Sequence, residues 1–133
     1  MELQELLNKA WRLKKDGERL DALKLYSHAF DIVTKEAQEQ AHNSQGSHED
    51  IIEDGKKVSK ILPHFFVKAK AYLKRDKVAA VISNNMGTIL LEISDFDGAK
   101  KMFEQAIELT PDGEIYDDPK IGLKEFENNY VRD

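Results

Sequence analysis

Cysteine is absent from the 133-residue chain, which excludes disulfide scaffolds, thiolate nucleophiles and cysteine-ligated zinc together. A reducing, cytoplasmic setting is the expectation that follows. Proline and glycine are scarce, at three and seven residues. A chain made of many short strands and turns uses more of both, so the composition favours an all-α fold. Long apolar runs are missing too. Stretches such as Val78 to Val81 and Thr88 to Leu91 fall far short of the roughly 20 residues that span a bilayer. The first residues carry neither the basic nor the apolar region of a secretory signal. One soluble domain, with 41% hydrophobic residues to build a core, is expected.

Catalytic signatures are equally sparse. No Gly-rich phosphate loop, G-x-S-x-G elbow or H-E-x-x-H occurs in the chain, so the usual enzyme motifs are unmet. His28, His42, His48 and His64 form no close pair at metal-ligand spacing. Asp95 with Asp97 and Asp117 with Asp118 lie beside turns, where carboxylates cap helices rather than gain the burial an acid–base pair needs. No enzymatic activity, metal or cofactor is expected.

Charge is unevenly spread. Residues 1–50 carry a net −3, residues 51–77 a net +5 and residues 78–133 a net −7. The middle holds Lys68, Lys70, Lys74 and Arg75 with Phe65, Phe66 and Tyr72 interleaved, a mixture of cations and stacking groups that suits RNA. The whole chain is acidic, with a pI near 5.4, and lacks the positive balance of a dedicated nucleic-acid binder. A solvated helix face is the simpler reading of those lysines.

Apolar residues recur at helical spacing. Leu3, Leu6, Leu7, Ala10 and Leu13 share one face, and Gly17 ends the segment. Leu20, Leu23, Tyr26, Ala29, Phe30 and Val33 continue the period in a second helix running to about Gln40, antiparallel to the first. Residues 42–49 read as a loop around Gly46, with Ser47 or Asp50 as a cap. Ile51 to Leu73 keeps a mostly helical spacing that Pro63 should kink or divide. Further helices are expected over Val78 to Ile93 and Asp97 to Leu109, stopped by Pro111-Asp112-Gly113. Asp118-Pro119 then opens a last helix at 118–130.

Within this order lies an internal repeat. Laying the last pair on the first matches Gly87 with Ala10, Leu90 with Leu13, Ala99 with Ala22, Phe103 with Tyr26, Ala106 with Ala29 and Ile107 with Phe30. Antiparallel helices approach closely only where side chains are small, so these positions read as contact points with Phe103 as a plug between pairs. The run Asn85-Met86-Gly87, Leu90, Phe96, Ala99, Phe103, Ala106, Leu109-Thr110-Pro111 resembles the tetratricopeptide repeat (TPR), a 34-residue helix-turn-helix unit. The N-terminal copy is similar but has Lys9 where the family favours an apolar residue and Thr34 where it favours proline. That first pair alone also has the spacing of a microtubule-interacting-and-trafficking domain, a reading the C-terminal copy argues against.

The resemblance implies a right-handed antiparallel helix-pair stack: a first repeat at 3–36, an irregular or degenerate middle at 37–79, a last repeat at 80–113 and a capping helix at 118–130. It also implies a non-catalytic protein–protein interaction module, an adaptor, scaffold or co-chaperone-like domain that holds a partner segment in a concave groove. Carried over by position, the groove residues are Asn8, Trp11 and Lys15, with Gln4, Leu7 and Lys14 beside them, and Asn84, Asn85, Thr88 and Glu92, with Val81 and Leu91 beside them. An amide pair such as Asn84-Asn85 can both donate to and accept from an extended backbone. The chaperone carboxylate clamp found in one subgroup is not expected, because Leu7 and Trp11 occupy its first two positions and only Asn85 resembles a member. Two alternatives remain open: polyanion or RNA binding through residues 56–77, and a structural role in a homo-oligomer, the chain being a monomer or a homodimer.

Overall fold

The computed structural model describes residues 2–43, 48–53, 56–61, 70–74 and 76–130. Five helices carry the body: α1 (Leu3–Lys15), α2 (Arg19–Asn43), α3 (Val78–Glu92), α4 (Phe96–Glu108) and α5 (Asp118–Tyr130). Between α2 and α3 lies a two-stranded antiparallel hairpin, β1 (His48–Glu53) and β2 (Lys56–Ile61), and residues 70–73 are helical.

The first turn explains how the chain reverses. Gly17 sits at φ +83°, where Cβ would be strained, and two backbone bonds close the end of α1: Gly17 N–H to Lys14 O at 3.2 Å and Glu18 N–H to Leu13 O at 2.9 Å. Such a pair of bonds satisfies carbonyls a helix end leaves orphaned. The same geometry recurs 77 residues on, with Ser94 N–H to Leu91 O at 3.1 Å and Asp95 N–H to Leu90 O at 2.8 Å. Ser94 takes the left-handed conformation there, at φ +66°. Asp95 then caps α4, its Oδ1 accepting from Gly98 N–H at 3.0 Å. Both helix pairs therefore turn in the same way from different residues.

Packing repeats with the same offset. Ala10, Ala22, Ala29, Ala99 and Ala106 are each 0% exposed, and Tyr26 and Phe103 are 3% and 1% exposed. A Cβ built on Gly87 would stand 2.8 Å from the Phe103 ring, and one on Gly122 would stand 2.6 Å from it. Phe103 of α4 thus fills space left by missing side chains on both α3 and α5. Full burial of such a ring stabilises by about 1.5–3 kcal/mol.

Helix α2 packs directly on α3, and Leu6, Ala10, Ala22, Tyr26, Ala29, Ile82 and Ile89 form one buried cluster across α1, α2 and α3. The last pair therefore rests on the first, with no described helix interposed. Helix α5 packs against α4 and α3. On α3, Ser83 is wholly buried and satisfied: its hydroxyl donates to Ala79 O and accepts from Gln105 Nε2, each at 2.9 Å.

Two sequence expectations change in the middle. Helix α2 continues to Asn43, past the expected end of the first repeat, because Thr34 does not stop it as proline would, and Ala37 and Ala41 bury its extension. His42 and Asn43 belong to this helix and His48 and Asp50 to β1. Residues 51–53 and 56–61, expected to be helical, lie in the two strands instead. The physical reason is legible afterwards. Asp54-Gly55 is a two-residue turn signal, and Ile51, Ile52, Val58 and Ile61 are β-branched. No apolar residue occurs between Ile52 and Val58, which no helical stripe tolerates well. The register sets Glu49 opposite Lys60 and Glu53 opposite Lys56. The kink expected at Pro63 lies outside the described residues.

Candidate binding groove

Helices α1 and α3 occupy equivalent places in the two pairs, and a groove of about 320 Å³ lies between them. Helical periodicity builds its walls. On α1, Leu7, Asn8 and Trp11 stand on one face; on α3, Val78, Val81, Ile82 and Asn85 do the same, with Tyr26 of α2 at the floor and Lys77 at the start of α3. The lining is mostly apolar and, among the described residues, contains no carboxylate. Trp11, the sole tryptophan, is 52% exposed, and Val81 is 36% exposed. Exposed apolar groups gathered in a concavity are unusual on a free surface and mark interaction sites.

Polar groups at the site are held in place. Gln4 Nε2 donates to Asn8 Oδ1 at 3.0 Å. Lys14 Nζ donates to Asn85 Oδ1 at 2.8 Å, joining residues of the two pairs, while Asn85 Nδ2 donates to Val81 O at 2.9 Å. Each end of the Asn85 amide therefore keeps one further bonding site. Burial pushes the Lys14 ammonium below its ordinary range, against the attraction of Glu92. Glu92 is in turn bound to Arg19, Oε2 to Nε at 2.7 Å. A polar line from Asn85 through Lys14 and Glu92 to Arg19 thus stitches the first pair to the last. Lys15 Nζ lies 4.4 Å from the centre of the Trp11 ring.

Comparison of the chain with protein-family models, curated proteins and solved structures gives no match in any of the three. The reading of the site therefore rests on its own geometry.

Of the residues predicted for the groove, Asn8, Trp11 and Asn85 line it together, and Lys15 stands at its edge over Trp11. Glu92 belongs to the polar stitch. Thr88 spends its hydroxyl on Asn84 O at 3.0 Å. Asn84 is not among the lining residues: it hydrogen-bonds Tyr116, and its Oδ1 is buried without a partner, so it supports the C-terminal loop rather than the groove. One residue along a helix is a turn of about 100°, which separates the faces of the two neighbouring asparagines. Lys77, Val78, Ile82 and Tyr26 were not anticipated as lining. The signal for three of them was the spacing 77, 78, 81, 82, 85, which continues the face of Asn85 toward the N-terminus of α3.

The alternative basic patch is drawn into ion pairs. Lys70 pairs with Glu108 and Lys74 Nζ with Asp112 Oδ1 at 3.1 Å, tying the end of the middle segment to the end of α4. Lys68 and Arg75 lie outside the described residues. Among the described residues no three His, Asp or Glu side chains gather to hold a metal ion, and no helix is long and apolar enough to cross a membrane.

Proposed function

We propose that this chain is a small TPR-like interaction module that binds a segment of another protein in the groove between α1 and α3. The observation that carries this reading is the groove itself: an open, mostly apolar concavity where Trp11 and Val81 remain exposed although the pairs around them are closely packed. Large aromatic side chains so placed serve as anchors in protein interfaces. The repeated helix ends, the repeated small residues and the capping role of α5 support the family resemblance. The polar line through Asn85 and Lys14 would give the groove a fixed shape before any partner arrives, which lowers the ordering cost of binding. The same reading places the module with adaptors and scaffolds and assigns it no catalytic step.

Polyanion binding through the middle segment is the weaker reading, because Lys70 and Lys74 are already neutralised by carboxylates of α4 and the loop after it.

Affinity capture from source-cell lysate separates the two. Wild type and a Trp11→Ala, Val81→Glu variant would be compared, each with and without nuclease, the variant's fold being checked by circular dichroism. Proteins retained by wild type and lost by the variant are the expected result. Retention insensitive to the substitutions but abolished by nuclease would overturn the proposal.

A further inference from the structure

The groove has a charge character opposite to that of the molecule around it. The chain carries a net charge of −5, yet among the described residues the lining includes no Asp or Glu and one cation, Lys77. A second cation, Lys15, is outside the lining but lies over the lining residue Trp11 and follows Lys14, which bonds Asn85 eight positions along α3 from Lys77. These two lysines rest on aromatic rings, Lys15 over Trp11 at 4.4 Å and Lys77 over Tyr116 at 5.7 Å, and among the described residues neither is paired with a carboxylate. Contact with an aromatic face holds an ammonium in place while leaving its remaining N–H donors directed to solvent or ligand.

The nearest acidic group in sequence, Asp76, is turned to other work. Its Oδ1 accepts from Val78 N–H at 3.0 Å, and it lines a separate cavity between α2 and α3 together with Glu36. Among the described residues the two concavities therefore differ in sign, one lined by Glu36 and Asp76 with no lysine, the other by Lys77 with no carboxylate.

We infer that the groove selects a partner segment whose apolar anchor residues are flanked on both sides by side-chain carboxylates, Asp or Glu. The inference rests on the reading of this groove as a protein-binding site and adds the chemistry of what it holds. The eight positions from Lys77 to Asn85 along α3 span about 12 Å at 1.5 Å per residue. That distance suits a short apolar stretch, such as two anchor residues, with an acidic residue before and after it. Complementary charge at the two ends would fix the register of the segment and hasten its encounter, with most of the burial coming from the apolar middle.

The experiment is selection of a displayed library of random 12-residue peptides, internal to the display protein so that no free end is presented, on the immobilised full chain. Parallel selections use Val81→Glu, which blocks the apolar floor, and Lys15→Glu, Lys77→Glu, which reverses the ends. The expected result is enrichment of peptides with Asp or Glu flanking large apolar residues. That enrichment should be lost on Val81→Glu and shift toward Lys and Arg flanks on the charge-reversed variant. Each exposed charge contact should contribute about two- to fivefold in affinity at physiological salt. Apolar peptides without an acidic bias that still depend on Val81 would overturn the charge selection and leave the groove reading standing. Enrichment indifferent to Val81→Glu would overturn both.

Discussion

The packing of Phe103 offers a sharp test of the repeat architecture. A Cβ at Gly87 would stand 2.8 Å from Cδ1 and Cε1 of Phe103, and a Cβ at Gly122 would stand 2.6 Å from Cε1; carbon atoms in contact prefer about 3.5–4.0 Å. The ring is 1% exposed, so it has nowhere to retreat without parting α4 from α3 or α5. Overpacking of this kind costs about 1–3 kcal/mol. Replacing a helical glycine by alanine returns about 1 kcal/mol through propensity, so Gly87→Ala should destabilise by about 0–2 kcal/mol net. In a Phe103→Leu background the clash is gone while the propensity gain remains, and the same substitution should become neutral or stabilising, giving a coupling of about 2 kcal/mol. Urea denaturation of the four proteins of the cycle, followed by circular dichroism at 222 nm, measures it. An equal effect of Gly87→Ala in both backgrounds, or a Gly87→Ala variant more stable than wild type, would refute the account of why these positions are small.

Other consequences follow from particular residues. Ser94 occupies the left-handed position that Gly17 fills in the first pair, so Ser94→Gly should stabilise by about 0.5–1 kcal/mol, seen as a higher urea midpoint with an unchanged slope. Burial pushes the hydroxyls of Tyr26 and Tyr116 up to about 12 from the ordinary 10.0. Between pH 10 and 12 the unfolded chain then loses protons that the folded chain keeps, so stability is full below pH 10 and falls as pH rises; titration at 295 nm should show two of the four tyrosines ionising late, and a single transition near 10 would contradict this. Glu108→Gln with Asp112→Asn frees Lys70 and Lys74 from their partners, so retention on heparin should rise above that of wild type; equal retention would mean that these pairs do not mask the patch.

Legibility in the sequence followed the reach of the interactions. Helix pairs were readable because their signals are local: the spacing of Leu3, Leu6 and Ala10, the breaks at Gly17 and Pro111, and the Asp118-Pro119 start. Small residues at matched offsets carried tertiary information as well, since Ala22 and Ala99 are small for a neighbouring backbone rather than for their own helix. The hairpin differs from the expected helix because Val58 and Ile61 sit three apart, a spacing that fits a helix, and Ile51 and Ile52 are adjacent, so no strict strand alternation shows on either side. Asn84 and Asn85 illustrate the limit of a motif at the site. Adjacent amides look like a pair in sequence, yet α3 directs one to Tyr116 and the other to Lys14. Lys14 itself was placed near the groove, but its bond to Asn85, 71 residues away, depends on how α1 and α3 sit together, which no local pattern encodes.

Site-specific photocrosslinking tests the central claim most directly. A benzophenone side chain would be placed at Val81, within the groove, and in a second protein at Ile121, which is 53% exposed on α5 outside it. After irradiation in source cells, the account predicts protein adducts at position 81 and none at position 121. Adducts formed only at 121, or equally at both, would contradict the assignment of the groove as the binding surface.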